Sequence, residues 1–215
     1  GPAGTGKTFL GVAFAIQQLL AKEVSKIVLT RPIVESGESL GYLPGDFEQK
    51  VNPYMMPMFD CMDKLVGREG SPMRERITSA CEIAPLAYMR GRTFDDAICI
   101  FDEAQNASLT QLKLFLTRFG QNSKLIITGD PAQSDLRGPV ALSHVVDRLD
   151  GVPGIGIVRF NPNSIVRHKL IGDILDRLED KEYPRVEPAE EKPVSKSKPI
   201  TMMDVYRQTE DDEDE

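Results

Sequence analysis

The sequence predicts an α/β fold built on a mostly parallel sheet with helices on both faces. Short apolar runs of strand length alternate along the chain with stretches of helical periodicity, a pattern typical of buried parallel strands joined by helices. In addition, a glycine-rich loop opens the chain ahead of a helical apolar run, and several strand-length runs end in polar residues. Such residues meet at the carboxyl edge of a parallel sheet, where these folds bind ligands.

The elements follow from apolar periodicity and from turn residues. We expect helices over residues 7–21, 47–66, 72–80, 108–119, 138–149 and 166–178, and strands over 26–30, 82–86, 96–101, 124–128 and 155–160. The second helix is expected to be interrupted at Pro53 and Pro57, since proline lacks the N–H that a helix needs. A loop rich in Gly, Pro and acidic residues spans 35–46. The methionines of the second helix are expected to fill the core; they are Met55, Met56, Met58 and Met62.

The length of 215 residues indicates one domain with an appendage. We place the domain at residues 1–183 and a disordered acidic tail at 184–215, because the tail combines prolines, charge blocks and few apolar residues. Residues 186–215 carry four Lys or Arg against ten Asp or Glu, so most of the net charge of −7 belongs to the tail. The near-neutral remainder shows no broad basic surface for nucleic acid, although a local one remains open.

The three cysteines, Cys61, Cys81 and Cys99, are widely spaced and odd in number. Free thiols in a reducing compartment are the preferred interpretation, ahead of disulfides or a zinc site. No run approaches the 18 apolar residues of a membrane-spanning helix and no signal peptide is visible. We therefore expect a cytoplasmic protein without a membrane partner.

The first eight residues, GPAGTGKT, match the phosphate-binding pattern G-x-x-x-x-G-K-[ST]. Glycines let the loop curl so that its N–H groups point at phosphate oxygens, and the following helix adds its N-terminal dipole. Lys7 can reach the β- and γ-phosphates, while the Thr8 hydroxyl can bind Mg²⁺. A tight turn without a ligand is the alternative for such a loop. The expected nucleotide-binding residues are Gly1, Pro2, Ala3, Gly4, Thr5, Gly6, Lys7 and Thr8.

Two further motifs follow apolar strands. Asp102 and Glu103 come directly after residues 96–101; Asp102 is expected to hold Mg²⁺ with Thr8, and Glu103 to activate the attacking water. The alternative is an acidic pair that complements a helix N-terminus. Gln133, in GDPAQ after residues 124–128, is expected to sense the γ-phosphate, with Asp130 as a partner for water or Mg²⁺. An ordinary polar turn is the alternative there.

GPAGTGKT at 1–8, DEAQN at 102–106 and GDPAQ at 129–133 together resemble the PhoH-like ATPases. Those are similar to the first motor domain of superfamily 1 helicases. The resemblance covers roughly residues 1–178 and extends to further segments, which are LTRPIVESGE at 29–38, LGYLPGD at 40–46, MRGRT at 89–93 and VRH at 166–168. The family's strand before the phosphate loop is expected to be absent, since nothing precedes Gly1 in this sequence.

The resemblance implies the three-layer α/β/α sandwich of P-loop NTPases, ATP binding, and Mg²⁺-dependent ATP hydrolysis coupled to RNA metabolism. It also implies a ring-like homo-oligomer, such as a hexamer, in which one subunit's arginine completes the neighbour's site. Arg167 is the first candidate for that arginine and Arg118 the second, with a surface salt bridge as the alternative for either. The expected catalytic residues are then Lys7, Glu103, Gln133 and Arg167.

The sequence leaves open whether the protein contacts RNA or single-stranded DNA. Arg31, Arg90 and Arg92 lie after or beside strands, where a strand of nucleic acid runs in the helicase relatives. Two classes of function are therefore considered: an ATPase that remodels RNA or protein, and a scaffold or switch that binds ATP, assembles and hydrolyses little.

Overall fold

The computed structural model describes residues 1–33, 47–136, 138–161, 164–166, 174 and 177, with residues 47–50 described by their backbone alone. The chain divides into two units, Gly1–Arg167 and His168–Glu215. Of the second unit only residues 174 and 177 are described, and both are helical. The expected loop over 35–46, most of the helix over 166–178 and the tail over 184–215 lie outside the described residues. The domain boundary expected at residue 183 stays a prediction.

Apart from the strand expected over residues 155–160, the described helices and strands of the first unit follow the order that the sequence predicts. Three short 3₁₀ turns, Leu86–Met89, Ala104–Asn106 and Pro131–Gln133, follow the ends of strands. The helices and strands are α1 (Lys7–Leu20), β1 (Lys26–Thr30), α2 (Phe47–Val66), α3 (Pro72–Ser79), β2 (Cys81–Ile83), β3 (Ala97–Phe101), α4 (Leu109–Leu116), β4 (Lys124–Ile127) and α5 (Ala141–Leu149).

The described sheet has four strands in the order β2-β1-β3-β4, and every pair is parallel. Leu29 of β1 is level with Ile83 of β2 and with Ile100 of β3, which in turn is level with Ile126 of β4. Parallel strands in this register bring the carboxyl ends of β1, β3 and β4 together at one edge. The predicted α/β fold with a parallel sheet is confirmed.

Alternate residues of the central strands build a core on each face of the sheet, because side chains of a strand point to opposite faces in turn. Val28, Cys99 and Phe101 pack with α4 and α5 on one face. Ile27 and Ile100 pack with α1, α2 and α3 on the other. All five residues of β3 are buried. Helices therefore cover both faces, as a three-layer α/β/α sandwich requires.

The long helix α2 continues through both of its prolines, so the expected interruption at Pro53 and Pro57 is wrong. Both prolines lie on the exposed side of the helix. The opposite side carries a buried apolar stripe at helical spacing, and packing of this stripe against the sheet outweighs the hydrogen bonds that the prolines remove. The stripe consists of Val51, Met55, Met58 and Met62. The expectation that the methionines fill the core is confirmed for these three, whereas Met56 is exposed.

The strand expected over residues 155–160 does not form, and this segment has no regular structure. Ile155 and Val158 are exposed. A strand is stabilised only when its backbone groups pair with a neighbour, and none of the described strand pairings includes this segment. Its alternating apolar residues therefore predicted a strand for which the described part of the sheet offers no partner.

The three cysteines are free thiols, as expected. Burial raises the pKa of Cys81 and of Cys99 to about 12 and also raises the pKa of Cys61. Thiols with such pKa values remain protonated near neutral pH and are poor nucleophiles. Within the described part of the chain, no helix combines the length and the apolar character needed to cross a membrane.

Candidate functional site

The glycine-rich loop lies directly before α1, at the edge where β1, β3 and β4 end. Gly4 and Gly6 both have φ near +78°, in the left-handed region that favours glycine. A Cβ on Gly6 would meet no atom within 4 Å. Glycine is therefore favoured at position 6 by the backbone conformation and not by lack of space. Gly6 is the residue that caps α1. The loop therefore ends with the free N–H groups of a helix N-terminus.

Hydrogen bonds inside the loop hold it closed. The Thr5 hydroxyl donates to the carbonyl of Pro2 (2.8 Å). The Lys7 ammonium donates to the carbonyls of Gly1 and Pro2, both at 2.7 Å. The positive charge of Lys7 thus lies against the loop itself, beside the backbone that a phosphate would contact.

The loop contacts both the turn after β4 and the segment after α5. The nitrogen of Gly1 donates to the carbonyl of Gly129 (2.9 Å), just beyond β4. A Cβ on Gly1 would lie 2.6 Å from Cβ of Phe160, so only glycine allows this approach. The N–H of Val166 donates to the carbonyl of Gly4 (2.9 Å). Sequence reasoning missed these contacts, because Phe160 and Val166 are distant from the loop in the chain and no local pattern pairs them with it.

Asp102 joins the loop to the sheet. It follows β3 directly and is 2% exposed. Its Oδ1 accepts hydrogen bonds from the hydroxyls of Thr8 (2.9 Å) and Thr128 (2.5 Å). Its Oδ2 is buried without a hydrogen-bond partner among the described residues. A buried carboxylate oxygen without a donor is costly unless a cation or water meets it.

This environment fits Mg²⁺. Mg²⁺ prefers oxygen ligands and is usually held by one or two protein groups together with substrate phosphates and water. The Thr8 hydroxyl and the Asp102 carboxylate are such groups, and they are already in contact. Among the described residues, no group of three or more His, Cys, Asp or Glu side chains could hold a metal ion without further ligands. A magnesium ion here would therefore depend on phosphate oxygens as well.

Glu103 follows in an unusual backbone conformation, with φ of 52°. A non-glycine residue in the left-handed region is uncommon and worth attention near a candidate site. Oε1 of Glu103 forms an ion pair with Arg31 (3.5 Å), and Oε2 accepts a hydrogen bond from the Gln105 amide (2.5 Å). The two side chains hold the carboxylate between the ends of β1 and β3.

The alternative interpretation of Asp102 and Glu103, as charges at a helix N-terminus, finds no support in α4. That helix starts at Leu109 and is capped by Ser108. The Ser108 hydroxyl accepts from the N–H of Gln111, and the Gln111 side chain accepts from the N–H of Ser108. This capping box satisfies the first turn without either carboxylate.

The turn after β4 places Gln133 at the same edge. The N–H of Gln133 donates to the carbonyl of Asp130 (2.9 Å), and its side chain is exposed. Asp130 is buried, and its carboxylate accepts from the N–H of Ala132 (3.1 Å). Asp130 therefore stabilises the turn that carries Gln133. The contacts of Asp130 agree with the alternative of an ordinary polar turn. Its expected role toward water or Mg²⁺ stays a prediction.

The two arginines considered for completing a neighbour's site, Arg167 and Arg118, differ in what the structure describes of them. Arg167 lies outside the described residues. The Arg118 guanidinium donates to the carbonyls of Arg92 (2.8 Å), Leu114 (3.1 Å) and Met89 (3.3 Å). These bonds favour a structural role for Arg118. Arg92 pairs with Glu82 (2.5 Å).

Arg31 and Arg90, both considered for nucleic-acid contact, also have different environments. Arg31 pairs with Glu103 and donates to the carbonyl of Tyr54 (3.2 Å). Arg90 is exposed, and together with Lys113 it lines a cavity of about 410 Å³ between the turn after β2 and α4. Among the described residues the lining includes no acidic side chain, and it is completed by Leu86, Ala87, Thr110, Gln111, Leu114 and Thr117.

Sequence reasoning missed Thr128 and Gln105 at this site. Thr128 ends the fourth apolar run and Gln105 belongs to DEAQN, so the only available signal was a polar residue at a strand end. Their contacts cross between β3 and β4, and only the register of the sheet shows that they meet.

A three-layer α/β/α sandwich with a glycine-rich loop before α1 and a carboxylate after β3 defines the P-loop NTPase-like class of proteins. The family within that class follows from sequence comparison. Residues 1–179 match the family of PhoH-like proteins. The chain belongs to the PhoH family.

Similarity to curated proteins from several bacteria supports this family assignment. The chain is 49% identical to a PhoH-like protein of Bacillus subtilis over 179 residues, which is 82% of this chain and 56% of that protein. It is 45% identical to a PhoH-like protein of Synechocystis, over 85% of this chain and 56% of that protein. It is 44% identical to protein PhoH of Escherichia coli, over 79% of this chain and 49% of that protein. The chain spans about half the length of these curated relatives.

Gly129→Ala is expected to lower the free energy of unfolding by about 1–3 kcal/mol, the usual cost of overpacking. The added Cβ would lie 2.5 Å from Cδ2 of Leu142 and 3.0 Å from Oε1 of Gln105. Gly156→Ala is the matched control, because its Cβ would meet no atom within 4 Å. Urea unfolding of both variants measures the difference. Equal stability of the two variants would contradict the close packing of Gly129.

Proposed function

We propose that this protein binds ATP and hydrolyses it with Mg²⁺. The contact that carries the proposal is the one between Thr8 and Asp102. It joins the two groups that a P-loop enzyme uses for its magnesium ion. The Oδ2 of Asp102, buried without a partner among the described residues, supports a cation there. Family membership supports nucleotide binding in the same region, since the family match begins at residue 1 and includes the loop.

Each residue of the site has a proposed part. The loop N–H groups and the Lys7 ammonium bind the β- and γ-phosphates, and Thr8 and Asp102 hold the metal. Glu103 orients the attacking water and accepts its proton. Gln133 contacts the γ-phosphate from the turn after β4. When bound, Mg²⁺ neutralises charge on the phosphate oxygens.

The main test compares phosphate release by the full chain with release by two variants. Glu103→Gln is expected to lower turnover by about 100-fold or more, the usual contribution of a general base, while ATP still binds. Lys7→Ala is expected to abolish ATP binding itself. Release is measured with a coupled phosphate assay, and ATP affinity by calorimetry.

Glu23→Gln is the matched control, because Glu23 is exposed and lies just before β1, at the opposite edge of the sheet from the site. Chelation of Mg²⁺ by EDTA is expected to stop release in the parent chain. If the parent binds ATP but releases no more phosphate than Glu103→Gln, hydrolysis is refuted. The result would then favour the other class of function, an ATP-dependent scaffold or switch.

We further propose that the ATPase acts on RNA or single-stranded nucleic acid through the cavity beside Arg90 and Lys113. Two cations, with no acidic side chain among the described residues of the lining, provide a local site for phosphates, although the protein as a whole is acidic. Two cations in a cavity of about 410 Å³ suit contact with a few phosphates and not with a long stretch of backbone.

Replacement of Arg90 and Lys113 by Gln is expected to weaken binding of a labelled single-stranded RNA. It is also expected to flatten the salt dependence of binding by about one unit of slope for each phosphate that the variant no longer neutralises. Fluorescence anisotropy at several salt concentrations measures both. The control replaces Lys64 and Arg76, which belong to α2 and α3 on the other face of the sheet. Equal effects of the two double variants would rule out the cavity.

We also propose a homo-oligomer in the cytoplasm. Phe9, Leu10 and Phe14 are exposed on α1 despite their size, with Leu10 and Phe14 one helical turn apart. An exposed apolar helix face supports assembly. The three free thiols support a reducing compartment. Arg167 is proposed, from the family resemblance, to complete a neighbour's site within a ring.

Replacement of Leu10 and Phe14 by Gln is expected to shift the protein toward monomer in sedimentation velocity, since it removes apolar area from the proposed interface. Met73→Gln is the control, because Met73 is similarly exposed but belongs to α3. An unchanged sedimentation profile across a range of concentrations would rule out this face as the interface.

A further inference from the structure

One buried side chain connects the turn after β3 with the turn after β4. Gln105 is 2% exposed. Its Oε1 accepts from the N–H of Asp130 (3.0 Å), and its Nε2 lies 2.5 Å from Oε2 of Glu103 and 3.4 Å from the carbonyl of Gln133. The same amide group thus contacts both proposed functional turns.

The chemistry of these contacts calls for an amide. The backbone of Asp130 offers a donor and needs an acceptor, while the carboxylate of Glu103 accepts and needs a donor. Only a side chain that ends in a donor and an acceptor side by side satisfies both. This pairing also assigns the orientation of the Gln105 amide.

Close packing leaves the Gln105 side chain little freedom. Gly129 lies so near that a Cβ there would come within 3.0 Å of Oε1 of Gln105 and 3.2 Å of its backbone nitrogen. Rotation of the amide out of this position would leave the buried N–H of Asp130 without a partner, at a cost of about 1–3 kcal/mol. A shift of the turn after β4 must therefore move the amide with it.

A second set of bonds holds the same two turns together without contacting Glu103. The side chain of Asn106 donates to the Asp135 carboxylate and accepts from the Asp135 N–H, both at 2.8 Å. The Ser134 hydroxyl donates to the backbone carbonyl of Gln105 (3.0 Å). These bonds support the turns but do not contact the carboxylate of Glu103. Their removal can therefore serve as a control for the removal of the Gln105 contacts.

We propose that Gln105 is the positioning residue that couples the γ-phosphate sensor turn to Glu103. The inference rests on the proposed ATPase function. A displacement of the turn at Gln133 by bound phosphate reaches Glu103 through the Gln105 amide, which holds one carboxylate oxygen while Arg31 holds the other. Glu103 is thereby aimed at its water when the sensor turn has engaged phosphate.

The test is Gln105→Met, which keeps the length of the side chain and removes all three hydrogen bonds of the amide, to Glu103, Gln133 and Asp130. Turnover is expected to fall by about 100-fold, the effect of displacing a catalytic group by about 1 Å, while ATP affinity is unchanged. Asn106→Ala is the matched control and is expected to keep turnover. Urea unfolding shows whether each variant is folded.

A double-mutant cycle separates positioning from a merely structural effect. In the Glu103→Gln background, Gln105→Met is expected to cause no further loss of turnover, because its effect acts through Glu103. Unchanged turnover in the single variant, an equal loss in Asn106→Ala, or a full additional loss in the Glu103→Gln background would each overturn the inference.

Amide hydrogen exchange tests the coupling apart from turnover. With a slowly hydrolysed ATP analogue, exchange at residues 130–133 and at 103–107 is expected to change together in the parent chain, and at 130–133 alone in Gln105→Met. If the parent binds the analogue without hydrolysing ATP, the proposed ATPase activity fails, and the exchange result alone decides the coupling. If the parent does not bind the analogue, both proposals fail. Independent responses of the two turns in the parent overturn the coupling alone.

Discussion

The buried carboxylate of Asp102 is the constraint on which the site depends. It accepts two hydroxyl hydrogen bonds, one from Thr8 at the start of α1 and one from Thr128 at the end of β4. A buried charge of this kind is tolerated only where donors or a cation meet it. The phosphate loop, β3 and β4 are therefore tied at a single point. The register of three parallel strands sets where that point lies.

Around this point, each strand end contributes a different group. Arg31 directly follows β1, Glu103 lies in the turn after β3 and Gln133 lies in the turn after β4. A parallel sheet brings such ends to one edge, whereas an antiparallel sheet would separate neighbouring ends. Cores on both faces keep the strands in register. The geometry of the site is thus a consequence of sheet topology as much as of the motifs.

The sequence predicted most elements because their signals are local. The apolar runs of β1, β3 and β4 and the glycine-rich loop before α1 each identify themselves within a few residues. Errors arose where a distant partner decides the outcome. The helix α2 runs through Pro57 because a buried methionine stripe packs on the sheet. Residues 155–160 alternate like a strand, yet no described strand pairs with them.

By itself the sequence determined the α/β class, the phosphate-loop pattern and the family, because fixed residue types at short spacing are enough for these. The tertiary structure decided which side chains meet. It placed Thr128 on Asp102, and it placed Gln105 between Glu103 and Asp130. Contacts between residues far apart in the chain depend on strand register and on packing, which no local pattern specifies. The physical reason is that a hydrogen bond needs two groups within about 3 Å, a distance that only the folded sheet sets.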